Sequence, residues 1–244
     1  MKKILLEAPV FNLEAALLAE SYGVDRIELC SNFITGGETP SAGSLKFLKQ
    51  QIGIAIFVMI RPRGGDFFYS SAEIQVMKED IMLMRDLGAN GFVFGALTAD
   101  GHIDEKTNSE LVACARGLPC TLHRAFDSTV DLHKSLEVAI SCGFRRILTS
   151  GGKNDVSTGL ETIKNLMDAA GNRIIILPGG GLHPDHLPSL YPIGKLAEIH
   201  ASCKAWRPSE AIFNRPDLTL TQDTDVLTIS QETVRDFALS IQKL

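Results

Sequence analysis

The amino-acid sequence predicts an α/β protein with the TIM (β/α)₈ barrel fold, as one domain over residues 1–244. Eight short apolar runs rich in β-branched residues recur along the chain, and a helix-like stretch follows each of them. The length of 244 residues is typical of one such barrel. No linker-like stretch interrupts the series, so we expect a single domain.

The short apolar runs predict the strands, and the amphipathic stretches between them predict the outer helices. The predicted strands are residues 4–8, 26–30, 54–60, 91–95, 120–124, 146–150, 174–178 and 197–201. The clearest predicted helices are residues 12–21, 71–87, 131–142, 160–169 and 231–243. Several helices end at a glycine that suits a C-cap, namely Gly23, Gly88, Gly143 and Gly171.

An open doubly wound sheet is the competing architecture, because it also alternates strands with helices. Eight units of nearly equal length favour the barrel. In a nucleotide-binding open sheet, a glycine-rich turn usually follows the first strand, whereas here Glu7, Ala8 and Pro9 occupy that place.

The composition of the chain limits the classes of partner that it can have. The formal net charge is −5, and the basic residues are spread along the chain, which argues against nucleic acid. No apolar run reaches the roughly 18–20 residues that cross a bilayer, so we expect no membrane partner and a cytoplasmic location. The five cysteines are an odd number without a Cys-x-x-Cys pair, which predicts free thiols.

Polar residues occupy the ends of the predicted strands, where barrels of this class carry their active sites. Residues two apart on a strand share a face, so Glu28 and Cys30 point the same way, as do Glu198 and His200. The candidate acid and base groups are Glu7, Glu28, His123 and His200. For Glu7, Glu28 and Arg61, a purely structural ion pair is an equally good interpretation, and either histidine could be a hydrogen-bonded core residue.

Glycines and cations at the same ends predict a site for a small anionic ligand. The glycine run after the seventh predicted strand lies where many barrels bind phosphate through loop amides and a helix N-terminus, although a tight turn explains it equally well. The candidate ligand-binding residues are Arg61, Arg63, Arg124, Asp127, Ser150, Gly179, Gly180 and Ser202.

Copper is the second ligand that the residues suggest. Cys30 is a soft ligand, and Met59 on the neighbouring strand has the parity to approach it, a combination suited to Cu(I). Methionine more often fills a core, so the copper signal in these residues alone is weak. No His–His–carboxylate spacing indicates a zinc or iron site.

Several segments resemble the CutC family along nearly the whole chain. They are residues 25–31 (DRIELCS), 36–41 (GGETPS), 59–67 (MIRPRGGDF), 123–127 (HRAFD), 148–151 (LTSG) and 198–202 (EIHAS). The resemblance implies a cytoplasmic barrel, often a homo-oligomer, assigned to copper homeostasis and proposed to bind Cu(I) through cysteine. Of the five cysteines, Cys30 alone falls in one of these segments.

Two functions follow as hypotheses. In the first, the chain is a copper homeostasis protein that binds Cu(I) through Cys30. In the second, it is an enzyme or binder of a phosphorylated or carboxylated metabolite, in which Arg61 binds the anion and Glu28, His123 or His200 moves protons. The sequence leaves open whether any reaction is catalysed.

Overall fold

The structure, a computed structural model, describes residues 4–213 and 225–244. Its main sheet has eight parallel strands, and the order of hydrogen-bonded neighbours is β7-β6-β5-β4-β3-β2-β1-β8. The strands are β1 Leu5–Val10, β2 Arg26–Leu29, β3 Ala55–Met59, β4 Gly91–Phe94, β5 Cys120–Leu122, β6 Arg146–Thr149, β7 Ile175–Pro178 and β8 Glu198–His200. All eight coincide with predicted strands, which confirms the barrel.

A helix follows each strand along the chain, although after β8 a hairpin comes first. The helices are α1 Leu13–Tyr22, α2 Ala42–Gln51, α3 Ser71–Asp86, α4 Glu105–Cys114, α5 Leu132–Ser141, α6 Val156–Ala170, α7 Leu187–Leu190 and α8 Gln231–Gln242. The predicted helix over residues 160–169 begins earlier, because the Asp155 carboxylate accepts the Thr158 N–H and caps α6 at its true start.

The two ends of the strand series meet, which nearly closes the barrel. Leu5 of β1 pairs with Glu198 of β8, and Glu7 pairs with His200. Strands β7 and β8 lie side by side at the remaining seam. Because all strands run the same way, their carboxyl ends form one rim, to which the predicted site residues belong.

An antiparallel hairpin follows β8, which the sequence analysis did not predict. Its strands are β9 Lys204–Arg207 and β10 Val226–Ile229. It lies against α1, where the Asn12 amide donates to the Leu227 carbonyl oxygen at 2.5 Å. Within residues 4–213 and 225–244, no helix is long and apolar enough to span a membrane.

Successive side chains of a strand lie on opposite faces of the sheet, and this alternation divides the core into two parts. Leu29 and Val58 belong to the large apolar layer between strands and helices. Cys30, Phe57 and Met59 form a separate small cluster, because their parity places them on the other face of β2 and β3.

Candidate functional site

A cavity of about 290 Å³ opens among the carboxyl ends of the strands. Residues at the ends of β2, β3, β5 and β8 bring acid, base and sulfur groups to its wall, namely Glu28, Cys30, Met59, Arg61, His123 and His200. Pro9, Phe11, Phe67 and Leu148 add apolar surface. The cavity combines a few polar groups with apolar walls, as small-molecule sites do.

Glu28, His200 and Glu7 form a buried chain of charges. The His200 Nδ1 lies 2.8 Å from the Glu7 Oε1, and its Nε2 lies 3.6 Å from the Glu28 Oε2. Glu7 is also bound by the Arg26 Nε at 2.5 Å. The imidazole therefore lies between two carboxylates.

The surroundings of the two glutamates shift their pKa values in opposite directions. Burial alone would raise the pKa of Glu7, but the Arg26 charge and the His200 hydrogen bond outweigh it and lower the pKa to about 2. Glu28 has no hydrogen-bonded guanidinium, and burial raises its pKa to about 7 against the opposing His200 charge. Glu7 is thus a fixed anion at neutral pH, whereas Glu28 can take up and release a proton.

The surroundings of His200 favour its protonated form. Burial lowers its pKa, but the hydrogen bond to Glu7 and the charges of Glu28 and Glu7 reverse this effect, so that the pKa is raised overall.

Within the described chain, the potential metal-binding atoms of Glu7, Glu28 and His200 lie within 4.8 Å of one another, the spacing of a candidate cation site.

His123 is a neutral hydrogen-bond donor. Its Nδ1 accepts the Ala125 N–H at 3.2 Å, which caps a 3₁₀ turn over Arg124–Ser128 and ends β5 before the predicted boundary. Burial, and then the Arg61 charge, lowers the pKa of His123 to about 3. With Nδ1 accepting, the proton of the neutral ring is on Nε2, which is buried and has no hydrogen-bond partner within residues 4–213 and 225–244.

Carbonyl oxygens of the loops after β2 and β3 hold the Arg61 guanidinium at the cavity wall. Its Nη1 donates to the Thr35 and Gly37 carbonyl oxygens at 2.7 and 3.0 Å, and its Nη2 donates to the Gly65 carbonyl oxygen at 2.8 Å. The Nε is buried and has no hydrogen-bond partner in the described part of the chain. The loops after β2 and β3 therefore fix this donor in place.

Cys30 and Met59 lie beside each other, as their parity predicts. A Cβ added to Gly37 would lie 3.4 Å from the Cys30 Sγ and 3.5 Å from the Met59 Cε. Burial, with the charges of Glu28 and Glu7, raises the pKa of the Cys30 thiol well above its ordinary value of 9.0. The thiol is therefore protonated in the free protein.

Arg124, Asp127 and Ser150 organise the rim. The Asp127 carboxylate accepts the Arg124 Nε–H at 2.9 Å and the N–H of Ser150 at 3.0 Å. The Arg124 Nη2 donates to the Ser150 Oγ at 2.6 Å. Asp127 and Ser150 thus hold the loop after β6, while Arg124 reaches both the cavity wall and the solvent.

Of the remaining predicted ligand-binding residues, two line the cavity and two do not. Gly180 and Ser202 line the cavity, but Gly179 is buried against Leu148 and His200. The Arg63 guanidinium binds Glu73 at 2.6 Å and Asp66 at 3.0 Å, and Arg63 is not among the residues that line the cavity. No long helix begins after the glycine run in the described structure; a 3₁₀ turn over Pro184–His186 and the short α7 follow it.

Two arginines of the barrel interior were missed as parts of the site's support. Arg26 and Arg146 both bind the Glu198 carboxylate, at 2.5 and 3.0 Å, and both guanidinium groups contact the Phe57 ring. The sequence did contain a signal for them, because each is an arginine at the first position of an apolar strand. A charge buried there requires a charged partner nearby.

A comparison with protein families settles the chain's relationship. The CutC family model matches residues 4–205, which include every residue of the cavity wall. The chain belongs to the CutC family.

Other CutC proteins support this assignment at the level of whole chains. The mouse "Copper homeostasis protein cutC homolog" is 46% identical over 216 residues, 88% of this chain and 79% of the mouse protein. The crystal structure of CutC from Streptococcus agalactiae is 35% identical and superposes with a TM-score of 0.75, covering 82% of this chain and 98% of that one. An aldolase, QR15, shares only the fold, at 15% identity and a TM-score of 0.58 over 82% of this chain and 90% of its own.

Proposed function

We propose that the cavity at the barrel mouth binds a small ligand through a carboxylate or carbonyl oxygen and exchanges protons with it. Three buried polar atoms around one cavity carry this proposal: the Glu28 Oε1, the Arg61 Nε and the His123 Nε2 find no hydrogen-bond partner within residues 4–213 and 225–244. Leaving a buried polar group without a hydrogen bond destabilises the protein by about 1–3 kcal/mol. A ligand that forms hydrogen bonds with all three atoms removes this penalty.

The chemistry of these atoms defines the ligand. Arg61 and His123 each offer an N–H donor, which suits an oxygen acceptor, and Glu28 offers a group that accepts or donates a proton. At the rim, the Arg124 guanidinium lies against Gly180, whose added Cβ would be 2.9 Å from the Arg124 Cζ. Arg124 supplies positive charge for an anionic end of the ligand.

Binding of oxalate tests this proposal by isothermal titration calorimetry. His123→Phe keeps the size and the apolar packing of the ring but removes the Nε2–H, along with the Nδ1 that accepts the Ala125 N–H. We expect oxalate affinity to fall by about tenfold or more. The matched control is His133→Phe, because His133 is exposed and outside the cavity wall. Equal affinity in the wild type and His123→Phe, or no binding of oxalate, pyruvate or phosphoglycolate by the wild type, contradicts the proposal.

Copper homeostasis is the second candidate function, and the adjacency of Cys30 and Met59 favours it. Two soft sulfur groups side by side on the cavity wall suit Cu(I) as cargo, and the mouse relative is named for copper homeostasis. The thiolate is the metal ligand, so Cu(I) has to displace the Cys30 proton. The high pKa of that thiol opposes binding and makes it depend on pH.

Cu(I) affinity under a competing chelator tests this second candidate. We expect one Cu(I) per chain in the wild type, loss of that site in Cys30→Ser, and an affinity that rises about tenfold per pH unit because one proton is released. Cys114→Ser is the control, since Cys114 lies on the outer helix α4. Binding that survives Cys30→Ser would remove copper from this cavity.

We also propose the cytoplasmic location and homo-oligomeric assembly that the resemblance implies. Light scattering of the purified protein measures the mass of the assembly against the 26.5 kDa of one chain. A monomer at cellular concentration would contradict the assembly, and cell fractionation tests the location.

A further inference from the structure

We infer that the cavity removes a proton from a carbon next to a carbonyl group, with Glu28 as the base and the N–H groups of His123 and Arg61 on the carbonyl oxygen. This inference rests on the proposed function and names its reaction class. The reaction requires one proton acceptor and at least one fixed hydrogen-bond donor of the protein that act on the same ligand. The cavity wall provides both.

The oxygen that gains charge in this reaction needs donors that are already in place. His123 is fixed through its Nδ1 by the Ala125 N–H, and Arg61 is fixed through both terminal nitrogens by three backbone carbonyl oxygens. Each side chain keeps an N–H without a partner in the described chain, the Nε2–H of His123 and the Nε–H of Arg61, and both residues line the cavity. A neutral imidazole suits this role because it donates a hydrogen bond without giving up a full proton.

Glu28 completes the arrangement as the proton acceptor. Its Oε2 faces His200 at 3.6 Å, and its Oε1 is the oxygen that lacks a partner in the described chain. Ionised Glu28 is stabilised by the His200 imidazolium, which Glu7 holds in place. His200 is therefore a positioning residue, and Glu28 is the group that contacts the substrate.

The step balances without an oxidant or reductant. The C–H bond breaks and its proton moves to the Glu28 Oε1. The electron pair of that bond forms a carbon–carbon double bond, and the carbonyl π pair moves to the oxygen, which becomes an enolate between the His123 and Arg61 N–H groups. Return of the proton from Glu28 to the same or a neighbouring carbon regenerates the carboxylate.

This chemistry defines the substrate as a small keto acid or hydroxy ketone, with its carbonyl at the inner end of the cavity. Arg124 at the rim, which also binds Asp127, donates hydrogen bonds to a carboxylate or phosphate at the other end. The Cys30 thiol has no part in the step, because its protonated form is a poor nucleophile.

Proton exchange in D₂O, followed by NMR with pyruvate and hydroxyacetone as probes, tests the inference. We expect the wild type to exchange the protons next to the carbonyl at least about a hundredfold faster than Glu28→Gln, with the folding of the variant checked by circular dichroism. His123→Phe should slow exchange as well, and His133→Phe should not. A wild type that binds oxalate through His123 but exchanges no faster than Glu28→Gln overturns this inference alone; failure to bind overturns the proposed function too.

Discussion

Two histidines of the same cavity show how single residues acquire opposite properties. His200 lies between Glu7 and Glu28, and these carboxylates raise its pKa. His123 lies beside Phe67 and near the Arg61 charge, and burial with that charge lowers its pKa to about 3. The surroundings therefore favour the charged form of one ring and the neutral form of the other, although both belong to the same buried wall.

The pKa of His123 predicts a loss of stability in acid. The unfolded chain binds a proton at His123 below about pH 6.5, whereas the folded protein does so only near 3, so folding becomes less favourable as the pH falls through that window. Relative to His123→Gln, we expect the wild type to lose about 1.4 kcal/mol of unfolding free energy per pH unit below 6.5. Urea titrations at several pH values measure this difference, and parallel curves for the two proteins would contradict it. His133→Gln is the control.

At the scale of elements, a close contact between α6 and the end of β6 places the rim loop. Asp127 accepts the N–H groups of Ser150 and Gly152, which folds this loop over the barrel end. Helix α6 can approach it because Gly159 has no side chain: a Cβ there would lie 1.7 Å from the Ser150 carbonyl oxygen. The contact is between backbones, so no rotamer change can relieve it.

Gly159→Ala should therefore destabilise the protein by at least about 3 kcal/mol, because helix and loop must separate. Gly43 in α2 provides the matched control: its added Cβ would meet only the Ser41 Oγ, at 3.8 Å. We expect Gly43→Ala to stabilise the fold by about 0.5 kcal/mol through helix propensity. Thermal and urea denaturation compare the two, and a small effect of Gly159→Ala would show that α6 can shift.

At the scale of the whole molecule, buried ion pairs connect strands from opposite ends of the ladder. Glu198 on β8 binds Arg26 on β2 and Arg146 on β6, so its carboxylate spans the seam between β7 and β8. Arg26 continues to Glu7, which holds His200. The charges that join the strands thus also orient the site.

Glu198→Gln should destabilise the barrel by about 3–5 kcal/mol, since two buried guanidinium groups lose their counter-charge. The control is Arg173→Gln, which removes the exposed pair with Glu137 and should leave the urea midpoint nearly unchanged. If Glu198→Gln unfolds at the wild-type urea concentration, the network does not stabilise the barrel.

Local patterns along the chain were sufficient to predict the barrel and much of its rim. Strand and helix periodicities depend on neighbouring residues, so all eight strands were found, and parity correctly placed Cys30 beside Met59. The hairpin of β9 and β10 was missed because its position depends on contacts with α1, which is distant in sequence.

Tertiary structure alone decided which polar residues serve the cavity. Arg61 and Arg63 are equivalent in sequence, yet Arg61 lies on the cavity wall whereas Arg63 binds Glu73 and Asp66. Likewise, the Glu28 Oε1 and the His123 Nε2 have no hydrogen-bond partner among the described residues, which depends on the groups that distant strands place around them. The sequence by itself determined the barrel and the residue types at its rim, because periodicity is local; proton affinity and free hydrogen-bonding capacity came from the fold, because they depend on distances between remote residues.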